Sequence, residues 1–313
     1  MPRVIPTEDV PPIELGELVA ALDESGFDPR DEESFAAMGP LLRGLAANRT
    51  FLADIAVAEL KDRCVAQSRA NGYTPQVLML HPAGRNYFIR ANFWPGPSDP
   101  IFRSSGPSPF FYYLPHDHNF SFLTVGYLGP GYWSDYYEYD PEGVVGYPGE
   151  KVGLRFVERA RLEPGKVMLY RAHRDVHLQL PADEMSISIN IMEATPEVAR
   201  ASQYRFDVER GEIASILNST TTEALLAIAA NQGGENARDV VETFAARHHD
   251  ERIRFAALRE LALSEPDIDT GLDRLARGRA SPSRFVAEMC ALEAARLAAN
   301  RGWLERDAQP SVR

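Results

Sequence analysis

The chain has 313 residues, with 33 basic and 45 acidic side chains and a formal charge of −12. That acidity, without any Lys/Arg block, excludes nucleic acid and anionic membrane as natural partners, and no apolar run approaches the roughly 20 residues of a membrane span. The two cysteines, Cys64 and Cys290, lie far apart. They exclude a disulfide framework and a thiolate zinc site, and with no apolar leader in MPRVIPTEDVPP they point to the cytoplasm.

Residues 1–72 read as a helical segment. Leu15, Leu18, Val19 and Leu22 recur at helical spacing. Phe35, Met38, Leu41, Leu42 and Leu45 continue the pattern across Gly39-Pro40. A third helix is expected from Thr50 as N-cap, with Leu52, Ile55, Ala56 and Leu60 on one stripe and a stop at Asn71-Gly72. Packing accounts for all of these residues.

Residues 73–195 change character. QVLMLH and NYFIRANFW read as strands across the turn PAGR, followed by FFYYL, FSFLTVGYL, WSDYYEYD, VGLRFVERARL, KVMLY, VHLQL and MSISINIME. Short β-branched or aromatic runs broken by Pro, Gly, Asp and Asn predict an all-β sandwich or barrel. MSISINIM alternates strictly, which predicts an antiparallel strand with one face buried.

Residues 196–313 read as helical and alanine-rich. Arg254-Phe255-Ala256 and Arg284-Phe285-Val286 recur 30 residues apart, and a period of this length with paired helices points to a short helical-repeat array. DERIRFAALREL carries two apolar stripes, as a helix packed on both sides does. The tail ERDAQPSVR is expected to be loose.

Four of the seven histidines, His116, His118, His173 and His177, fall within a stretch of 62 residues of the β region. Residues i and i+2 of a strand share a face, so His116 and His118 project together. His177 opens the strand VHLQL, 59 residues after His118, and a neighbouring antiparallel strand can bring it beside the pair. Imidazole suits zinc, iron, copper and nickel. His173 is an alternative ligand or a hydrogen-bond donor to one. His81, and His248-His249 at a helix end, read as structural.

PHDHNFSFLTVGYLG and LEPGKVMLYRAHRDVHLQLP together resemble the two motifs of the cupin superfamily, in which the first supplies His-x-His and the second a later histidine after a Pro-Gly turn. Phe122 and Leu123 stand where many cupins place a ligating glutamate. A three-histidine set without that glutamate resembles the iron centres of thiol dioxygenases of the cysteine dioxygenase type. The resemblance covers about 73–195 and implies a double-stranded β-helix barrel with His116, His118 and His177 on Fe(II). The substrate-binding arginine of that family has no counterpart in GYTPQVLML, although Arg85 and Arg90 lie nearby, so cysteine as substrate does not carry over. The C-terminal part resembles HEAT-like repeats.

The expected fold class is therefore α+β: a cupin-type barrel flanked by N-terminal helices and a C-terminal HEAT-like module. The expected activity is non-haem iron oxygenation of a small amino-acid-like or peptide-borne substrate with O2. His116, His118 and His177 hold the metal. Arg90, which interrupts an apolar strand, binds an acidic group of the substrate, with Arg155, Arg171 and Arg174 as further arginines near the barrel. Tyr127 and Tyr137 are the candidate catalytic tyrosines. Glu138 is a surface carboxylate or a fourth ligand. The C-terminal helices offer a surface for protein or peptide docking. Two other readings are a metal-free ligand-binding cupin, and a zinc cupin with isomerase or hydrolase chemistry.

Overall fold

The computed structural model describes residues 1–73, 76–84 and 86–302. The expectation for the tail ERDAQPSVR lies outside them. The protein is a mixed α+β chain with antiparallel sheets, and no described helix is long and apolar enough to cross a membrane. Two compact units are present: Met1–Glu142 with Lys151–Glu212, and Gly143–Glu150 with the chain from Ile213 onward. The boundaries expected after residues 72 and 195 both fall inside the first unit.

Two sheets organise the first unit. Strands β1 (Arg3–Ile5), β2 (Val77–His81), β3 (Tyr87–Trp94), β4 (Phe122–Leu128), β7 (Val167–Tyr170) and β9 (Ser186–Glu193) form one, in the order β1-β7-β4-β9-β3-β2. Strands β5 (Tyr132–Glu138), β6 (Arg155–Leu162) and β8 (Asp175–Gln179) form the other, in the order β6-β5-β8.

Alternation along β9 explains how they stack. Ile187, Ile189 and Ile191 share one face with Ile89 and Ala91 of β3 and with Leu123, Val125 and Tyr127 of β4. Helices α1 (Leu15–Glu24), α2 (Glu32–Ala37), α3 (Gly39–Ala47) and α4 (Phe51–Lys61) cover that face with Leu18, Leu22, Phe35, Leu42, Leu45 and Phe51. Phe122, Met168, Tyr170 and Met192 turn the other way and pack against Tyr132, Tyr136 and Leu162 of the three-stranded sheet. Polar Thr124, Ser188 and Asn190 alternate onto that inner face, where Thr124 Oγ1 donates to Asn190 Oδ1 (2.7 Å) and Trp94 Nε1 to Ser188 Oγ (2.9 Å).

Several expectations need correction. All eight residues of β9 are buried, so the polar side of MSISINIM faces the space between two sheets rather than solvent. FFYYL is not a strand. A 3-10 turn at Ser108–Phe110 leads into Phe111 and Tyr113, whose φ of 58° and 61° lie in the left-handed region, incompatible with a pleated strand. Thr50 stands at the α4 N-cap without using its hydroxyl as the cap. Asn48 Oδ1 instead accepts from the backbone of Thr50 and Phe51 (both 3.2 Å). The first helical segment ends with α5 (Val65–Ala70) and Asn71 as its C-cap. A short α6 (Pro100–Ser105) was not foreseen, and neither were β10 (Tyr204–Asp207) and β11 (Glu212–Ile216), which occupy a stretch read as helical.

The second unit contains α7 (Thr221–Gln232), α8 (Glu235–Arg247), α9 (Glu251–Leu263), α10 (Ile268–Gly278) and α11 (Arg284–Ala299). The central helix α9 packs on the other four. Its Ile253, Ala256, Ala257 and Leu261 meet Leu226 and Val241, whereas Phe255 and Ala262 meet Leu275, Phe285 and Val286. These are the two stripes visible in DERIRFAALREL.

Candidate metal centre

Backbone pairing brings the histidines together. His116 donates to the His177 carbonyl (3.0 Å), and His177 returns a bond to the His116 carbonyl (2.9 Å). Residues opposed in this way project to one side of an antiparallel pair. His177 also stands opposite Tyr136 on β5, so His116, His177 and Tyr136 form one inward row. His118, two residues on, joins them. Its Nε2 lies 3.2 Å from His177 Nε2, which lies 3.2 Å from His116 Nε2.

Asp117, between the two histidines, is fully buried and serves as a clamp. Its carboxylate accepts from the Tyr139 hydroxyl (2.8 Å) and the Tyr204 amide (2.7 Å), and lies 3.3 Å from His173 Nδ1. His173 stands at a left-handed position (φ 53°) and donates its amide to the His118 carbonyl (2.9 Å). It supports the His-x-His segment from behind and is not part of the three-histidine group.

The electrostatics keep all three imidazoles neutral. Burial lowers the His116 pKa. Burial, then its neighbour His116, holds His177 well below the ordinary histidine value, and the same causes act on His118, with His177, Arg90 and His173 adding to them. His116 Nδ1 lies 2.7 Å from the Leu114 carbonyl and so carries the proton, which leaves a lone pair on Nε2. A metal at about 2.1 Å from each nitrogen gives N···N separations of about 3.0 Å for right-angled ligands and about 3.4 Å for tetrahedral ones. The two 3.2 Å contacts that His177 makes fall between, and the ligand atoms of all three histidines lie within 4.8 Å of one another. The donor set therefore fits a divalent transition metal.

Aromatic side chains surround the group. Phe111 lies 5.3 Å from His116, Phe120 5.0 Å and Phe122 4.9 Å from His118, and Tyr170 5.2 Å from His177. The Tyr136 and Tyr170 hydroxyls are 3.0 Å apart. Burial pushes Tyr136 up to about 12 and holds Tyr170 well above the ordinary tyrosine value, so both remain protonated at neutral pH.

Both candidate catalytic tyrosines lie elsewhere. Tyr127 points to the helix-covered face of β4, where its hydroxyl donates to the Asn48 carbonyl (3.2 Å) and its ring meets Phe51. Tyr137 follows inward Tyr136 and turns out to Phe156. Tyr136 and Tyr170 are the tyrosines beside the histidines; strand parity from His177 across to β5 finds Tyr136, and parity from His118 through Phe122 across to β7 finds Tyr170. Arg90 stands opposite Asn190, whose other neighbour is Thr124, on the inner face. Its guanidinium sits 4.8 Å over the Tyr73 ring, and its Nε has no hydrogen-bond partner among the described residues. Arg85 lies outside the described residues.

Glu138 is held by Arg155 (3.0 Å) and Arg171 (3.1 Å), and Arg171 also binds buried Asp175 (2.7 Å); these are ion pairs away from the imidazoles. Arg174 is exposed. His81 stacks on Tyr87, and His248 stacks on His249 and Phe244. Sequence reasoning missed Asn92, Ser134 and Gln179, whose buried Oδ1, Oγ and Nε2 lack partners among the described residues, as does Nδ1 of His177.

No family model matches the chain, and no curated protein matches it. Among solved structures, the DMSP lyase DddQ from Ruegeria pomeroyi DSS-3 is similar over 65% of this chain and 80% of its own, at 12% identity and a TM-score of 0.26. Hydroquinone 1,2-dioxygenase PnpCD, in complex with Cd2+ and 4-hydroxybenzonitrile, is similar over 41% of this chain and 71% of its own, at 10% identity and a TM-score of 0.25. A structure of the DMSP lyases RdDddP and RnDddQII matches over 40% of this chain at 9% identity and a TM-score of 0.24, and the match spans 46% of that chain, less than half of its length. Likenesses this low carry no weight for substrate, metal or reaction.

Proposed function

We propose that this protein is a cupin-type, non-haem Fe(II)-dependent oxygenase that oxidises a small amino-acid-like or peptide-borne substrate with dioxygen. The observation that carries the reading is the convergence of three neutral imidazoles through Nε2, without a carboxylate in the group. Fe(II), if held by His116, His118 and His177, would supply redox chemistry toward dioxygen. The protein does the rest. The Leu114 carbonyl fixes the His116 tautomer, and the rings of Phe120, Phe122 and Tyr170 pack around the partly exposed His118. The Tyr136–Tyr170 hydroxyl pair offers a proton to the reacting centre.

Arg90 binds the acidic group of the substrate, since a half-buried guanidinium whose Nε has no partner among the described residues is set to receive a carboxylate. Asn92, Ser134 and Gln179 supply the remaining polar contacts. The second unit is read as a HEAT-like surface for docking a peptide or protein.

Elemental analysis of protein purified without added metal, beside His116→Ala/His118→Ala, tests this. Near-stoichiometric iron that disappears in the variant, with oxygen uptake on reduction, supports the oxygenase. Zinc in its place moves the reading to isomerase or hydrolase chemistry, which three nitrogen ligands also suit. No uptake of Fe(II) leaves a ligand-binding barrel.

A further inference from the structure

The second unit carries a concavity whose charge runs against that of the chain. Between α8, α9, α10 and the approach to α11 lies a hollow of about 570 Å³, lined by Arg247, Arg254, Arg274 and Arg277 over apolar Leu258 and Val286. Among the described residues no Asp or Glu lines it, although the chain holds 45 acidic residues against 33 basic ones. The volume is that of a small-molecule site.

The four arginines divide into two kinds. Arg274 is fixed by Glu242 (2.9 Å) and Glu265 (2.7 Å), and Glu265 is shared with Arg238 (2.7 Å). Arg254 is fixed by Glu251 (3.2 Å) and by the His248 carbonyl (2.7 Å). Their charges are matched. Arg247 and Arg277 are exposed. Among the described residues neither has a carboxylate partner, and Arg277 has only a long bond from Nε to the Asp273 carbonyl (3.4 Å). The hollow thus presents two uncompensated guanidinium groups beside an apolar floor.

We infer that this hollow binds a small phosphorylated molecule, with its phosphoryl group on Arg247 and Arg277 and its organic body on Leu258 and Val286. A phosphate monoester carries a charge of about −1.5 to −2 at neutral pH, which matches two free guanidinium groups, whereas a carboxylate carries one. Guanidinium forks engage phosphate oxygens in pairs. A hollow of this volume matches a compact ligand.

Titration calorimetry on the full chain tests this with phenyl phosphate, benzoate and a polyglutamate peptide as probes. Phenyl phosphate is expected to saturate a single site at least about tenfold more tightly than benzoate. Arg247→Ala/Arg277→Ala is expected to weaken it by at least about tenfold, whereas Arg103→Ala, an exposed arginine of α6, leaves it unchanged. An unchanged melting temperature certifies the fold, and the two single variants serve in its place if the double variant melts early. Absence of saturable binding up to about 10 mM, equal affinity for benzoate, or indifference to both arginines overturns the inference. Tighter binding of polyglutamate than of phenyl phosphate also overturns it, in favour of an acidic peptide.

Discussion

The two faces of the six-stranded sheet are both buried, yet they are chemical opposites. The face toward the helices is closed by Leu123, Val125, Ile189 and Ile191 against Leu18, Phe35 and Leu42. The face toward the second sheet carries Arg90, Asn92, Thr124, Ser188 and Asn190 beside Phe122 and Met192. Packing accounts for the first face. The second keeps polar groups out of water without partners for all of them, which costs stability. Burial shows where a protein is ordered, and unsatisfied burial shows where it is prepared for something else.

The comparison breaks most visibly at the histidines. His177→Ala should abolish metal uptake, because it removes the nitrogen that touches both others, and elemental analysis reads this directly. Leu123→Ala, on the apolar face, should lower stability by about 2–5 kcal/mol in denaturant titration and leave metal stoichiometry intact. Equal loss of metal in both variants would erase the distinction between the faces.

Acid sharpens it further. Burial holds the three histidine pKa values below 6.5 in the folded state. As pH falls below that value, the unfolded chain takes up protons that the folded imidazoles refuse. Stability of the metal-free protein should therefore decline, by up to about 1.4 kcal/mol per pH unit for each histidine. His116→Gln/His118→Gln/His177→Gln should flatten the decline, which urea titrations between pH 5 and 7 would reveal.

Smaller effects separate function from stability. Arg90→Met should leave the protein as stable, or more stable by about 1 kcal/mol, because a desolvated charge is replaced by a packed apolar chain; substrate turnover should fall through a higher KM. Tyr127→Phe should cost about 1 kcal/mol for one lost hydrogen bond and change turnover not at all, whereas Tyr170→Phe should reduce kcat. A kcat loss in Tyr127→Phe would return that residue to the site.

Much of this was legible beforehand. His-x-His with a later histidine predicts three rings on one face, because i and i+2 share a side and an antiparallel partner adds to it. The tyrosines were harder. Tyr127 and Tyr137 are one residue out of phase with the inward set, and phase is fixed by pairing partners far away in sequence. Arg90 was noticed because a charge interrupts an apolar strand. Asn92 and Asn190 do not stand out in the sequence, because polar alternation ordinarily signals solvent. FFYYL has strand composition, but Pro107, Pro109 and Pro115 break it into turns.

The central place of β9 bears on how the chain is made. β9 lies between β3 and β4, yet it follows them by many tens of residues. At ribosomal speed, Ile89, Leu123 and Val125 wait on the order of several seconds for Ile189 and Ile191 to emerge. Until then β2 and β3 form one sticky ribbon, and β1, β7 and β4 another, with nothing to join them. A product that stops before residue 186 is thus two unmatched halves of a sheet, and yield from the ribosome will depend on whatever shelters those edges in the interval.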